Sequence, residues 1–393
     1  MRHRNFRLYW TGQLISLIGT FMQSVGQGWL VFQLSGSALM LGVVGFAQFS
    51  PVLVLSPLGG ILADRFPKRD LLLLTQSAML LLAVCLGALT WLGVVQVWHV
   101  VVLALLLGVC NALDAPARQS FVVEMVGKED LMNAIALNSS VFNGARLIGP
   151  TAAALLIGPL GIASLFFLNA LAFLAILINL VRMRLAPFEK PKKTSPWDSL
   201  KEGFSYLRSH REIRALLSLV GVSSLFGAPY VTLLPAYAAQ VLGSDASGYG
   251  FLMSGVAVGG LIAALTLASS KAERRKGRAL LNGSFTFALL LIAFSLSHWF
   301  WLSWACLIGV GWGFLTQNAS TNTLVQTLAP DAMRGRVMSA YAWVLMGLFP
   351  VGSLLAGVLA SFWGADKAVL LGAVLLLAYT GWTYVNKPQI RAL

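Results

Sequence analysis

The chain has 393 residues, 58% of them hydrophobic and only 11% charged, and a mean hydropathy of +0.78. Apolar runs of 18 residues or more recur along its length, matching the roughly 20 residues with which a helix crosses a bilayer core of about 30 Å. That pattern excludes a soluble globular class. The net charge of +14 raises a nucleic-acid partner, which the placement of the charges then excludes.

In chain order, the first expected span covers 8–33 and carries Gln23 and Gln27, one helical turn apart. The second, 39–62, runs into GGILADRFPKRD (59–70), where Asp64, Arg65, Lys68, Arg69 and Asp70 turn a corner between two apolar segments. The third is 71–95. The fourth, 98–125, holds Asp114 and, at i+4 on the same face, Arg118, with Glu124 expected in solvent near its inner end. The fifth, 133–157, contains Asn138, Asn143, Arg146, Gly149 and Pro150; the sixth is 160–181.

A hydrophilic stretch, 182–214, then separates six spans from six. Pro187 and Pro191 read as linker, and Ser195-Pro196 as a helix start. Trp197, Leu200, Phe204 and Leu207 recur at helical spacing, which fits an amphipathic helix on the inner membrane surface or a soluble connector helix. The later spans are expected at 213–240, with Tyr230 and Tyr237; at 249–270 and 279–297; at 299–327, with Gln317, Asn318 and Asn322; and at 337–361 and 367–385. The expected fold is an all-α polytopic membrane protein. Its twelve transmembrane helices form two pseudo-twofold related six-helix bundles, 1–181 and 215–393, joined by the 182–214 linker.

With the N-terminus inside, every Lys and Arg beyond the spans falls on the inner side except Lys367, while Arg118 and Arg146 lie within spans. This is the positive-inside pattern. It puts both termini in the cytoplasm and makes the basic excess a topology signal with no nucleic-acid partner. Trp91, Trp98, Trp299, Trp301 and Trp363 fall at the outer ends, where aromatic rings favour the headgroup layer.

The run from Leu8 is too long for a signal h-region and lacks a small-residue cleavage site, so no cleaved leader is expected. Cys85, Cys110 and Cys306 are too far apart for a disulfide framework or a metal site. No HExxH, Gly-x-Ser-x-Gly or phosphate-binding loop occurs, which argues against an enzyme. No resident cofactor is expected, and an ion or substrate gradient must supply the energy.

The two halves read as a repeat. At a constant shift of 203, Gly108 falls on Gly311, Gly144 on Gly347 and Gly149 on Gly352. Near a shift of 209, Asp64-Arg65 falls on Glu273-Arg274 and Arg69 on Arg278, a degraded second copy of the first charged loop. Parallel repeats of this kind build secondary transporters, with the substrate site where the halves meet.

GGILADRFPKRD resembles the signature loop between spans 2 and 3 of the major facilitator superfamily. Gly60, Asp64, Arg65, Lys68 and Arg69 match it; Pro67 stands where the family usually has glycine. DAPARQSFVVEMVGKEDLMNAIALNSS, MRGRVMS and WDSLKEGFSYLRSHREIR are similar to the branch that holds the enterobactin exporter and many drug exporters. The resemblance implies a monomeric facilitator of a bacterial inner membrane. It also implies that the loop charges clasp the two halves while the cavity opens outward. GARLIGPTAAALLIG partly resembles the Gly-Pro motif of family antiporters: Gly149 and Pro150 match, while Ala153 and Ala154 replace glycines. Pro150 can bend the span, and small neighbours admit another helix.

Ionisable side chains inside spans are functional candidates by default. Asp114 reads either as a proton-coupling carboxylate, alternating between Arg118 and Arg146, or as half of a permanent ion pair. At the shift of 203 its counterpart is Gln317 and that of Arg118 is Thr321, so the second half keeps only neutral polar groups there. Gln23, Gln27, Asn138, Asn143, Tyr230, Tyr237, Gln317, Asn318 and Asn322 suit a cavity for a small amphipathic substrate. Each amide alone equally fits an interhelical hydrogen bond. The expected function is proton-coupled export of a drug-like or siderophore-like compound, with protons, membrane lipids and that compound as partners. A lipid or lysolipid flippase, or a receptor on a transporter scaffold, are the alternatives.

Overall fold

A helix surrounded by lipid needs no polar face. A computed structural model of the chain, which describes residues 3–127, 129–184, 210–269, 276–330 and 333–393, is built from such helices. The first six are α1 (Arg4–Ser35), α2 (Ala38–Arg65), α3 (Lys68–Trp91), α4 (Val97–Val126), α5 (Leu131–Leu160) and α6 (Ile162–Val181). After the undescribed stretch come α7 (Arg211–Gln240), α8 (Ala246–Ser269), α9 (Lys276–Ser295), α10 (Phe300–Leu328), α11 (Arg334–Trp363), α12 (Ala365–Asn386) and the short α13 (Pro388–Ala392). No strand occurs among the described residues.

Eleven of these helices are long and apolar enough to cross a membrane. The exception among the twelve expected spans is α10. At 29 residues and about 1.5 Å per residue it is long enough, but TQNASTNT in its second half dilutes its apolar character. The described helices bear out the all-α polytopic class. Large apolar side chains such as Leu74, Leu81, Leu155, Leu265 and Phe362 point outward and are exposed, as lipid allows and water would not. The five outer-end tryptophans are exposed too. The three cysteines are free.

Two compact units emerge. One contains Met1–Ser35, Ala47–Pro196 and Ala246–Gly250; the other contains Gly36–Phe46, Trp197–Asp245 and Phe251–Leu393. The start of α2 and the start of α8 therefore each belong to the unit opposite the rest of their helix. The surface helix expected from Trp197 to Leu207, and Glu273 and Arg274 of the second charged loop, lie outside the described residues.

The repeat reappears inside each unit as packing. A Cβ on Gly108 of α4 would stand 2.3 Å from the Gln48 carbonyl oxygen of α2; one on Gly311 of α10 would stand 2.1 Å from the Val256 carbonyl oxygen of α8. In both units two helices touch backbone to backbone through a glycine, the usual close approach of membrane helices. The joints repeat as well. Gly161 (φ +75) alone separates α5 from α6, and Gly364 (φ +93) alone separates α11 from α12. These positive dihedrals suit glycine and strain other residues, and the two positions are again 203 apart.

One helix is irregular. α7 is α-helical over Arg211–Val222, widens to a π-turn over Ser223–Gly227, and resumes at Tyr230. The π-turn is closed by the Ala228 amide donating to the Ser223 carbonyl at 2.7 Å. Pro229 and Pro235 cannot donate to the helix ladder, which accounts for irregularity in this region.

Candidate functional site

A buried polar cluster in the first unit forms where α3 and α4 meet. The Asp114 side chain is fully buried. Its Oδ1 accepts from the Thr75 hydroxyl at 2.9 Å and from Gln76 Nε2 at 2.8 Å, and its Oδ2 pairs with Arg118 Nη2. Helical spacing puts Asp114 and Arg118 on one face. Pro116 between them deprives the Ala112 carbonyl of its helical donor, and Gly59 of α2 packs against that carbonyl, where a Cβ would come within 2.3 Å.

Three buried polar atoms of this unit have no hydrogen-bond partners among the described residues: Tyr9 Oη, Gln76 Oε1 and Arg118 Nε, the last two on side chains that hold Asp114. Tyr9 of α1 packs edge-on against Phe121 at 6.0 Å and is close enough to feel the Arg118 charge. Thus one carboxylate, one guanidinium, one phenol and one amide share an apolar interior. Such a cluster can hold a charge, and it leaves hydrogen-bond donors and acceptors unused among the described residues.

The hydrogen-bond and ion-pair partners of Asp114 are Thr75, Gln76 and Arg118; Arg146 sits half-buried on α5 with contacts of its own. The observed pair lies within α4, and what it joins, through Thr75 and Gln76, is α3 to α4. Sequence reasoning missed Thr75, Gln76 and Tyr9. The signal available was the polar pair Thr75-Gln76 inside the apolar run LLLLTQSAMLLL.

At the inner end of the same unit, Lys68 opens α3 and its Nζ pairs with Glu124 Oε2 at 2.9 Å. Glu124 is exposed, as expected from its position, but it is partnered. Arg69 Nη2 donates to the Val181 carbonyl at 3.0 Å, a cation at the C-terminus of α6 where the helix dipole favours it. Asp64 and Arg65 are exposed at the end of α2, Gly60 has open space around it, and Arg278 is exposed in the first turn of α9.

Among the cavity candidates of the first unit, Gln23 Oε1 accepts from Asn169 of α6 at 2.7 Å, and Gln27 Nε2 donates to Gln48 of α2 at 2.9 Å. Both amides on that face of α1 have interhelical partners. Asn143 donates to the Ser139 carbonyl of its own helix at 2.9 Å, whereas Asn138 Oδ1 has no partner among the described residues. Gly149 admits α1 closely: a Cβ there would meet Phe21 Cβ at 2.5 Å. Pro150 is buried beside it.

In the second unit, Gln317 is fully buried on α10. Ser223, from the π-turn of α7, donates to its Oε1 at 3.4 Å, and its Nε2 has no partner among the described residues. Thr316 Oγ1 and Asn318 Oδ1 are likewise buried and unpartnered among the described residues. Tyr341 of α11 donates to the Asn318 carbonyl at 3.2 Å, and Asn322 Oδ1 accepts from Gln326 at 2.5 Å. Tyr230 packs edge-on against Phe287 at 6.3 Å. Gln317 of α10 therefore meets the widened turn of α7 through Ser223.

Tyr237 lies apart from them. It stacks on Phe294 at 4.3 Å, and its hydroxyl donates to the Phe294 carbonyl and, at 2.6 Å, to the Ser297 carbonyl. It caps carbonyls at and just beyond the C-terminal end of α9. Tyr237→Phe is expected to lower the unfolding free energy by about 1 kcal/mol and to leave the transport KM unchanged. A raised KM at unchanged stability would instead put the hydroxyl on substrate. Among the described residues, no group of three or more His, Cys, Asp or Glu could hold a metal ion.

Comparison with known proteins agrees with this architecture. The family model described as transmembrane secretion effector matches residues 1–390. The chain is 25% identical over 390 residues to the staphyloferrin A transporter of Staphylococcus aureus, covering 98% of this chain and 97% of that one. It is 26% identical over 409 residues to the enterobactin exporter EntS of Escherichia coli K12, covering 99% and 96%. Among solved structures, a bacterial homologue of the human lysosomal transporter Spinster, inward-facing and unoccupied, superposes with a TM-score of 0.73 at 13% identity, covering 98% of each chain. A D-xylose–proton symporter gives 0.72 at 14% identity, covering 97% of this chain and 98% of that one. These structural likenesses concern the fold alone.

Proposed function

Because the chain belongs to the transmembrane secretion effector family of the major facilitator superfamily, we propose that it exports a small, siderophore-like amphipathic compound by alternating access, driven by protons. Membership makes it a membrane-integral transporter and not an enzyme. The finer reading draws on relatives named for staphyloferrin A and enterobactin, and one observation carries it. A carboxylate, Asp114, is wholly buried in the first unit beside polar atoms with unused hydrogen-bonding capacity, an expensive arrangement in a membrane span that marks proton paths.

In this reading Asp114, with Arg118, Thr75, Gln76 and Tyr9, takes up and releases the proton. The unpartnered amides of α10, with the π-turn of α7, meet the polar groups of the substrate. The glycine contacts that lock α2 to α4 and α8 to α10 suit units that move as blocks. The Lys68–Glu124 pair and the rest of the charged loop regulate that movement. The protein works as a monomer in a bacterial cytoplasmic membrane with both termini inside, as its basic loops favour.

The test is secretion of siderophore by iron-starved cells that lack their own exporter, with and without a protonophore. Wild type is expected to restore secretion in a protonophore-sensitive way, and Asp114→Asn, at equal membrane abundance, to lose at least tenfold of it. If Asp114→Asn secretes as well as wild type, proton coupling at this carboxylate fails. If wild type secretes nothing but moves a fluorescent lysolipid between leaflets, the substrate reading fails and the lipid alternative replaces it.

A further inference from the structure

Away from the polar clusters, the second unit has a basic cavity where α9, α12 and α13 meet. Its volume is about 550 Å³, and Arg278, Leu281, Asn282, Tyr384, Pro388 and Arg391 line it. The chain changes direction at Lys387 (φ −129, ψ 59), and Pro388 starts a new short helix. That turn brings Arg391 back over Tyr384, its guanidinium carbon 4.2 Å from the ring centroid. One turn away, the Lys387 ammonium lies 5.6 Å from the Trp382 ring.

The chemistry of this cavity is one-sided. Two guanidinium groups and an amide line it, Lys387 immediately precedes Pro388 in the chain, and no carboxylate is among its lining side chains within the described residues. Neither arginine makes an ion pair among the described residues. Stacking occupies only the face of the Arg391 guanidinium and leaves its edge donors free to grip two oxygens of a phosphate.

The surroundings select the kind of phosphate. Trp382, Tyr384 and Val385 are exposed at 48%, 41% and 69% on α12. Aromatic rings at the end of a span mark the headgroup layer, and Val385 adds exposed apolar surface next to Tyr384 in the chain. A water-soluble phosphate has no use for that surface; an acyl chain has. The cations belong to the membrane face that carries the basic loops, where anionic lipids attract them. We infer that this cavity holds the phosphate of an anionic phospholipid, with Arg278 and Arg391 gripping the headgroup and Trp382 and Val385 flanking its chains. The inference is independent of the substrate and of proton coupling.

The experiment titrates delipidated full-length protein in detergent with short-chain phosphatidylglycerol, phosphatidylcholine or glycerol phosphate, reading bound lipid by native mass spectrometry and the unfolding midpoint in parallel. Wild type is expected to retain phosphatidylglycerol in preference to the other two. Arg278→Ala/Arg391→Ala is expected to bind it about thirtyfold more weakly, since each basic group near an anionic surface adds roughly a factor of five. Equal binding of phosphatidylglycerol and phosphatidylcholine by wild type overturns the proposal, as does undiminished binding by the double variant. Glycerol phosphate binding as tightly as the lipid makes this a soluble-phosphate site and overturns the lipid assignment. Should the double variant fail to fold, Arg278→Ala alone and a salt series on wild type serve instead. Weakening in both supports the proposal, and indifference to both refutes it.

Discussion

Arg118→Ala is expected to yield little folded protein, whereas the same substitution combined with Asp114→Asn should fold. In wild type the buried Asp114 carboxylate pairs with the cationic Arg118 and accepts from the neutral donors Thr75 and Gln76. Removing the cation strands a negative charge in an apolar interior, which costs about 3–5 kcal/mol. That is a large part of the total stability of a typical protein. Neutralising the carboxylate as well removes the stranded charge, and an asparagine can still accept from Thr75. Detergent-solubilised yield by fluorescence-detected size exclusion, with the unfolding midpoint, checks both. If Arg118→Ala alone is as stable as wild type, the pair is not energetically buried. If the double variant is no better than the single one, the loss comes from the packing of the arginine stem rather than from charge.

Gly311→Val should be nearly as damaging, for a steric reason. A Cβ at that position would lie 2.1 Å from the Val256 carbonyl oxygen, and a backbone atom cannot rotate out of the way. α8 and α10 must separate, with the loss of about 3 kcal/mol at the upper end of overpacking costs. Gly108→Val should do the same to α2 and α4, because a Cβ there meets the Gln48 carbonyl oxygen at 2.3 Å. Gly144→Ala is the control: nothing lies within 4 Å of its Cβ position, and a helical alanine is favoured over glycine by roughly 0.5–1 kcal/mol. Unfolding midpoints of the three variants decide the matter. A Gly311→Val protein that melts like wild type would show that the helices do not approach as described.

The three glycines contrast in a way no alignment of the halves reveals. Gly108, Gly144 and their counterparts at 311 and 347 look alike in the sequence, yet Gly108 and Gly311 stand at backbone contacts and Gly144 faces open space. Spacing locates a glycine on a helix face; whether another backbone passes that face depends on a helix far away in the chain. Gln23 and Gln27 make the same point. Their turn-apart spacing put them on one face of α1, but that face could look into a cavity or onto a neighbour. The partners that settle their contacts, Asn169 and Gln48, come from α6 and α2.

By itself the sequence determined the order of the long apolar helices, their all-helical nature and the family, because lipid demands long apolar helices whose backbone bonds are met within each helix. Local rules also sufficed for the Asp114–Arg118 pair, since i and i+4 share a helix face whatever lies beyond it. Only the tertiary structure decided what surrounds that pair. Thr75, Gln76 and Tyr9 reach it from helices whose facing sides depend on packing, and in a lipid-soluble chain hydrophobic periodicity does not say which side faces inward. The tertiary structure likewise joined Gln317 of α10 to the π-turn of α7 and folded Arg391 back over Tyr384, for contacts between distant segments are set by where helices cross rather than by what any one of them spells.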